Sequence, residues 1–131
     1  RLRKNLTEPV FNSWGYNTRS AALRIPCSDE SNRRIEYRLA GADANPYLVA
    51  ATILTGMLYG LEHIDEGDLP EPQHDQPELP LFQQEAIEAF ARCQYLTDSL
   101  GDAFSEQWVA CKLSELDWFE RIVTQEESHL A

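Results

Sequence analysis

The stretch that most constrains the fold is residues 65–80, DEGDLPEPQHDQPELP, which holds four prolines and six acids. Proline lacks the N–H that helices and inner strands need, and so acidic a run has little apolar surface to bury. The stretch is therefore expected to be an exposed linker that neither helix nor sheet can cross. It separates an arginine-bearing first part from a second part whose apolar residues recur at helical spacing. The 131 residues, 43% hydrophobic, suffice for one modest domain. Charge is also uneven along the chain. Residues 1–40 carry eight Lys/Arg against four acids, and residues 41–131 carry three against eighteen. An overall charge of −11 disfavours a nucleic-acid surface, while the basic first part suits a small polyanion such as a nucleotide phosphate.

No apolar run reaches the roughly 20 residues that span a bilayer, and the start lacks the layout of a secretory signal. No membrane role and a soluble, cytoplasmic protein are expected. Cys27, Cys93 and Cys111 show no paired C-x-x-C spacing, which predicts reduced thiols rather than a disulfide framework or a zinc site. The chain begins at Arg1 and its one methionine is Met57, so a piece of a longer protein or a processed product is expected.

In RSAALRIP (19–26) Ala21, Leu23 and Ile25 alternate with Ser20, Ala22 and Arg24, which predicts a strand ended by Pro26. After the polar CSDESN, residues 33–39 (RRIEYRL) place Ile35, Tyr37 and Leu39 on one face and Arg34, Glu36 and Arg38 on the other. An antiparallel pair follows from the short connection. Asn45 in the N-cap position and Pro46 at the first helical position start a helix. That helix is apolar nearly all round from Tyr47 to Leu61, so burial on more than one side is expected. Few elements of this chain remain to enclose it, and exposed apolar surface with self-association should follow.

Beyond the linker, Phe82, Ala86, Phe90, Cys93, Leu96 and Leu100 predict one amphipathic helix. From about residue 102 a second places Phe104, Trp108, Leu116, Phe119 and Val123 near one stripe, widened by Val109, Leu113 and Ile122. The fold class is thus α+β, a short antiparallel strand pair (12–40) plus about three helices (45–63 and two in 81–129). The tryptophans and helical aromatics are read as core. His63 is read as a boundary residue, and His74 and His129 as linker and tail.

The strand face Arg34, Glu36, Arg38, with Arg24 and Arg19 before it, carries the chemistry. Two readings stand. One is a solvated salt-bridge ladder of little energetic consequence. The other is a phosphate and metal site, because guanidinium groups bind phosphate bidentately and a carboxylate is a hard oxygen ligand for magnesium or manganese. Spacing alone does not distinguish the second from a plain anion-binding module.

WGYNTRSAALRIP (14–26) followed by RRIEYRLAGADANPYLVAATILTGMLYGL (33–61) resembles the arginine-rich strand pair, the R-I-E-x-R motif and the A-D-A-N-P-Y-L motif of the glutamine synthetase family. LPLFQQEAIEAF and CKLSELDWFERIVTQEE resemble its closing helices more loosely. The resemblance implies the carboxy-terminal part of a catalytic domain that uses ATP and Mg2+ (or Mn2+) to activate the γ-carboxylate of glutamate as an acyl phosphate, which ammonia or an amine attacks. It implies that Arg19 faces the transferring phosphate, Arg24 the nucleotide phosphates and Arg34 the nucleotide. Glu36 would ligate the metal, and Arg38 would hold glutamate or its acyl phosphate. Arg33 is structural by alternation. A homo-oligomeric, dodecamer-like ring is implied for the whole enzyme. Ammonia is placed ahead of a polyamine such as putrescine as nucleophile, and a non-catalytic binding or assembly protein is the alternative of another class. The family's remaining metal carboxylates are not in this chain, so the chain alone is expected to be inactive.

Overall fold

The computed structural model describes residues 9–63 and 78–122. The chain divides into two units, Arg1–Leu81 and Phe82–Ala131. In the first, strands β1 (Trp14–Tyr16), β2 (Leu23–Ile25) and β3 (Glu36–Tyr37) form a sheet in the order β1-β2-β3, followed by helix α1 (Pro46–His63). The second holds α2 (Gln83–Arg92), α3 (Gln94–Leu100) and α4 (Asp102–Glu120). The α+β class expected from the sequence holds, with four helices and three strands among the described residues.

The antiparallel pair is present, Leu23 opposite Tyr37 and Arg24 opposite Glu36. Both strands are shorter than their alternation suggests. For β2 the reason is β1, which was not read from the sequence. It runs parallel to β2, with Trp14 opposite Leu23 and Tyr16 opposite Ile25. Residues 17–22 must therefore carry the chain back along the sheet, and Arg19 and Ser20 belong to that turn instead of a strand. Parallel neighbours ordinarily need a dozen or more connecting residues. This short return is possible because Gly15 has no side chain, a Cβ there lying 2.8 Å from Thr18 Cγ2, and because Asn17 takes a left-handed φ of 50°. Asp29 caps the 3-10 turn Glu30–Asn32 between β2 and β3 by accepting from the Asn32 N–H.

Ala21 and Ala22 are buried beside the sheet. The second stretch of described chain begins with a pairing to the first: Phe11 bridges Glu78, and the Leu79 N–H donates to the Val10 carbonyl at 2.7 Å. Residues 65–77 of the expected linker lie outside the described residues, as do Val123, His74 and His129.

Asn45 starts α1 as anticipated, its Oδ1 accepting from the Tyr47 and Leu48 N–H groups at 3.0 and 3.4 Å. The expected burial of α1 is not found among the described residues, none of its own residues being buried. Tyr47 is 84% exposed and Leu61 82%, with Leu54 and Met57 also exposed. Three short strands offer too small a surface to cover 18 helical residues. This outcome is the exposed apolar surface expected from so few enclosing elements.

In the second unit the single helix expected over 82–100 is broken at Cys93 (φ −82°, ψ 84°). The Cys93 N–H closes α2 on the Phe90 carbonyl, and the Cys93 carbonyl opens α3 by accepting from Leu96 and Thr97. No Pro or Gly announces the break. Its physical reason is packing, since α2 and α3 both lie against α4, which one straight rod could not achieve. Ile87 and Ser105 are buried there, and the Ser105 hydroxyl donates to the Thr97 carbonyl at 3.3 Å. Gly101, at φ 87°, turns the chain into α4. Trp108 stacks on Phe104 and carries Lys112 Nζ 4.5 Å above its ring. Trp118 and Phe119, expected in the core, are exposed, because the apolar circumference of α4 is wider than the two helices packed on it.

Candidate functional site

The register of β2 and β3 sets Arg24 directly across from Glu36. Alternation over the two residues before Glu36 turns Arg34 to the same side. The carboxylate is clasped from both ends: Arg24 Nη1 donates to Glu36 Oε2 at 2.9 Å, and Arg34 Nε donates to Oε1 at 3.1 Å, with Arg34 Nη2 3.0 Å from Oε1. Arg34 Nη1 also donates to the Asn32 carbonyl at 3.3 Å. The hydrogen bond from Arg24, assisted by that from Arg34 and by both charges, holds the Glu36 carboxyl below the usual glutamate range against a smaller opposing effect of desolvation. Glu36 is thus ionised at neutral pH.

Arg38 is anchored through its backbone, the N–H donating to the Ala22 carbonyl at 3.0 Å. Its side-chain Nη1 is buried without a hydrogen-bond partner, as is Arg24 Nε. Two guanidinium groups on one short sheet therefore keep a free N–H in water-poor surroundings, where a missing acceptor is costly. Arg19 stands exposed in the β1–β2 turn and makes no hydrogen bond or ion pair among the described residues. The five residues singled out from the sequence are thus found in three situations: Arg24, Glu36 and Arg34 linked, Arg38 unpaired on the adjoining strand end, and Arg19 apart from them. Arg33 points elsewhere, its Nη2 lying 3.8 Å from Glu30 Oε1 at the surface.

Sequence reasoning missed Asn17. Its Oδ1 accepts from Arg24 Nη2 at 3.0 Å, and its N–H donates to the Ile25 carbonyl at 2.8 Å. The one available signal was an asparagine two residues after a glycine, a pair suited to left-handed turn geometry. A cleft of ≈ 650 Å3 opens beside the sheet, lined by Tyr16, Ile25, Pro26, Cys27, Ser28, Arg33, Arg34 and Ile35. His63, at the end of α1, stacks on Tyr59 with its Nδ1 2.9 Å from the Tyr59 carbonyl.

The donor set suits a phosphate. Orphaned N–H groups on Arg24 and Arg38 seek acceptors, and phosphate oxygens accept from guanidinium in matching geometry. A divalent cation is suited only in part. Glu36 has both oxygens engaged by arginine, although each carboxylate oxygen keeps a second lone pair. Among the described residues no three His, Cys, Asp or Glu side chains converge. Glu36 could supply one ligand of a hard cation, and phosphate, water or other carboxylates would complete the shell.

Arginines flanking an ionised carboxylate on a sheet could, in chemical terms, serve a polyanion. The sequence model described as glutamine synthetase, catalytic domain, matches residues 1–130, and the chain belongs to that family. The gamma-glutamylputrescine synthetase PuuA of Escherichia coli (strain K12) is 42% identical over 133 residues, covering 97% of this chain and 28% of that protein. Lengsin of Canis lupus familiaris is 38% identical over 120 residues (87% of this chain, 21% of lengsin). The glutamine synthetase of Pyrococcus furiosus is 31% identical over 142 residues (99% of this chain, 32% of that enzyme). The chain thus spans about a third or less of the length of these relatives.

Proposed function

We propose that this chain is one segment of an ATP-dependent ligase that joins the γ-carboxylate of glutamate to an amine, and that it contributes the cationic, phosphate-facing side of the site. The observation that carries the reading is the pair of buried, unpaired guanidinium N–H groups on Arg24 and Arg38 beside the clasped Glu36, in a chain of the glutamine synthetase family. Arg24 is assigned to the nucleotide phosphates, Arg34 to the nucleotide, and Arg19 to the transferring phosphoryl group. Arg38 is assigned to the glutamate substrate or its acyl phosphate. These positive groups let an anionic carboxylate approach an anionic phosphate, the main electrostatic obstacle to acyl phosphate formation. Arg19 stands exposed on its turn, and Arg34 borders an open cleft of ≈ 650 Å3, which supports these assignments. Glu36 is assigned as one ligand of Mg2+ or Mn2+, which when bound neutralises charge on phosphate oxygens. Its low pKa keeps it in the ligating form at neutral pH.

For the nucleophile, likeness supports a primary amine of the putrescine type ahead of ammonia, since identity to the gamma-glutamylputrescine synthetase exceeds that to the glutamine synthetase. This reverses the order adopted from the sequence. A strongly acidic second part is compatible with drawing in a polycation. The test is steady-state kinetics of the longer protein that carries this segment, with glutamate, MgATP and ammonium, putrescine or ethanolamine. A kcat/KM for putrescine tens of times that for ammonium, about 2 kcal/mol in transition-state stabilisation, is expected. The opposite ranking restores ammonia, and no turnover with any amine supports the binding or assembly reading.

A further inference from the structure

We propose that Asn17 is a positioning residue that holds the Arg24 guanidinium in the orientation an anionic ligand requires; the proposal rests on the assignment of Arg24 as a phosphate-facing group. Arg24 is gripped at both terminal nitrogens, Nη1 by Glu36 at 2.9 Å and Nη2 by Asn17 at 3.0 Å. One grip alone would leave the planar group free to swivel about that contact. Two grips, from residues on either side of β2, define its plane and leave the buried Nε without a partner. Ordering the side chain beforehand lowers the conformational entropy that a ligand would otherwise have to remove.

Asn17 can do this because its backbone is itself held. The Asn17 N–H donates to the Ile25 carbonyl at 2.8 Å, one residue beyond Arg24, so Oδ1 is carried to the arginine by the sheet and not by a free loop. Its φ of 50° is the single positive value outside glycine among the described residues. Asparagine, aspartate and glycine tolerate that region well, and other side chains are strained there. The requirement separates backbone from side chain: Asn17→Gly keeps the turn and removes the acceptor, whereas Asn17→Asp keeps both.

Two measurements test the proposal. In the 131-residue chain, 15N–1H spectra of the Arg24 guanidinium report its rotation and the exchange of its Nη protons. Asn17→Gly should speed both about tenfold or more, and Asn17→Asp should leave them close to wild type. In the longer ligase, Asn17→Gly should raise the KM for ATP about tenfold with kcat little changed, and Asn17→Asp should restore it. A chain in which Asn17→Gly alters neither the guanidinium spectra nor the KM for ATP overturns the proposal. So does one in which Asn17→Asp and Asn17→Gly are equally impaired, since the acceptor oxygen would then be irrelevant. If the wild-type protein neither binds nor uses ATP, the assignment of Arg24 to phosphate fails, and the guanidinium spectra alone decide whether Asn17 orders it.

Discussion

Ile87→Ala tests whether the second unit is held by the packing of α2 on α4. Ile87 is 7% exposed and is the buried apolar side chain among the described residues of that unit. It lines an apolar cleft of ≈ 190 Å3 with Phe90, Trp108, Val109 and Lys112. Alanine has three fewer carbons, and at about 0.8 kcal/mol per buried CH2 the lost transfer energy is about 2.4 kcal/mol. An incompletely refilled cavity adds to this, but the neighbouring cleft gives the side chains room to relax, so the addition is about 1 kcal/mol. Alanine's better helix propensity returns about 0.4 kcal/mol. The expected loss is thus about 3 kcal/mol. A unit of some 50 residues has a total stability of only about 2.5–7.5 kcal/mol, so the substitution should remove from about two fifths to all of it. Native-state amide exchange of the α2 and α4 backbones, with urea titration, measures this directly. A destabilisation under about 1 kcal/mol would show that α2 and α4 are held together elsewhere, and that burial of Ile87 is incidental.

In the longer ligase, Glu36→Gln should lower metal-dependent ATP use about a hundredfold or more while the chain stays folded, because glutamine can serve only one of the two arginines as acceptor and loses the charge a hard cation needs; unchanged activity with an unchanged magnesium requirement would return Glu36 to a surface ladder. The depressed Glu36 pKa also predicts a pH effect: its stabilising contribution is fully present above the ordinary glutamate range and is lost as pH falls through the lower folded value, so stability should not respond to Glu36 between pH 6 and 8. Arg24→Met removes the largest cause and should move the Glu36 carboxyl 13C titration upward; an unmoved titration would show that Arg34 alone sets it. The 131-residue chain alone should make no glutamyl amide, since among the described residues Glu36 belongs to no group of three ligating side chains, and turnover by contaminant-free chain would refute the division of the site. Exposed Tyr47, Leu54, Met57 and Leu61 should cause concentration-dependent association at micromolar levels, and a monodisperse monomer by sedimentation would count against it.

Much of this protein is encoded locally. Asn45-Pro46 starts α1 because a side-chain acceptor and a missing N–H solve the problem of a helix's first turn within a few residues. Glycine at 101 ends one helix and begins the next by its own backbone freedom. Two-residue alternation puts Arg34 and Glu36 on one side, and the ordered motifs from Trp14 to Leu61 were enough to place the chain in its family before any contact was known. What remained illegible depends on partners distant along the chain. Trp14–Tyr16 is too short to read as a strand until β2 pairs with it, and the helix over 82–100 breaks at Cys93 only because both halves find α4. Asn17 is an ordinary turn residue in the sequence, and the sheet's register alone makes it the second anchor of Arg24. The apolar circumference of α1 was legible, but whether it is covered was not, because burial belongs to the surroundings of a helix and no periodicity within it can supply them.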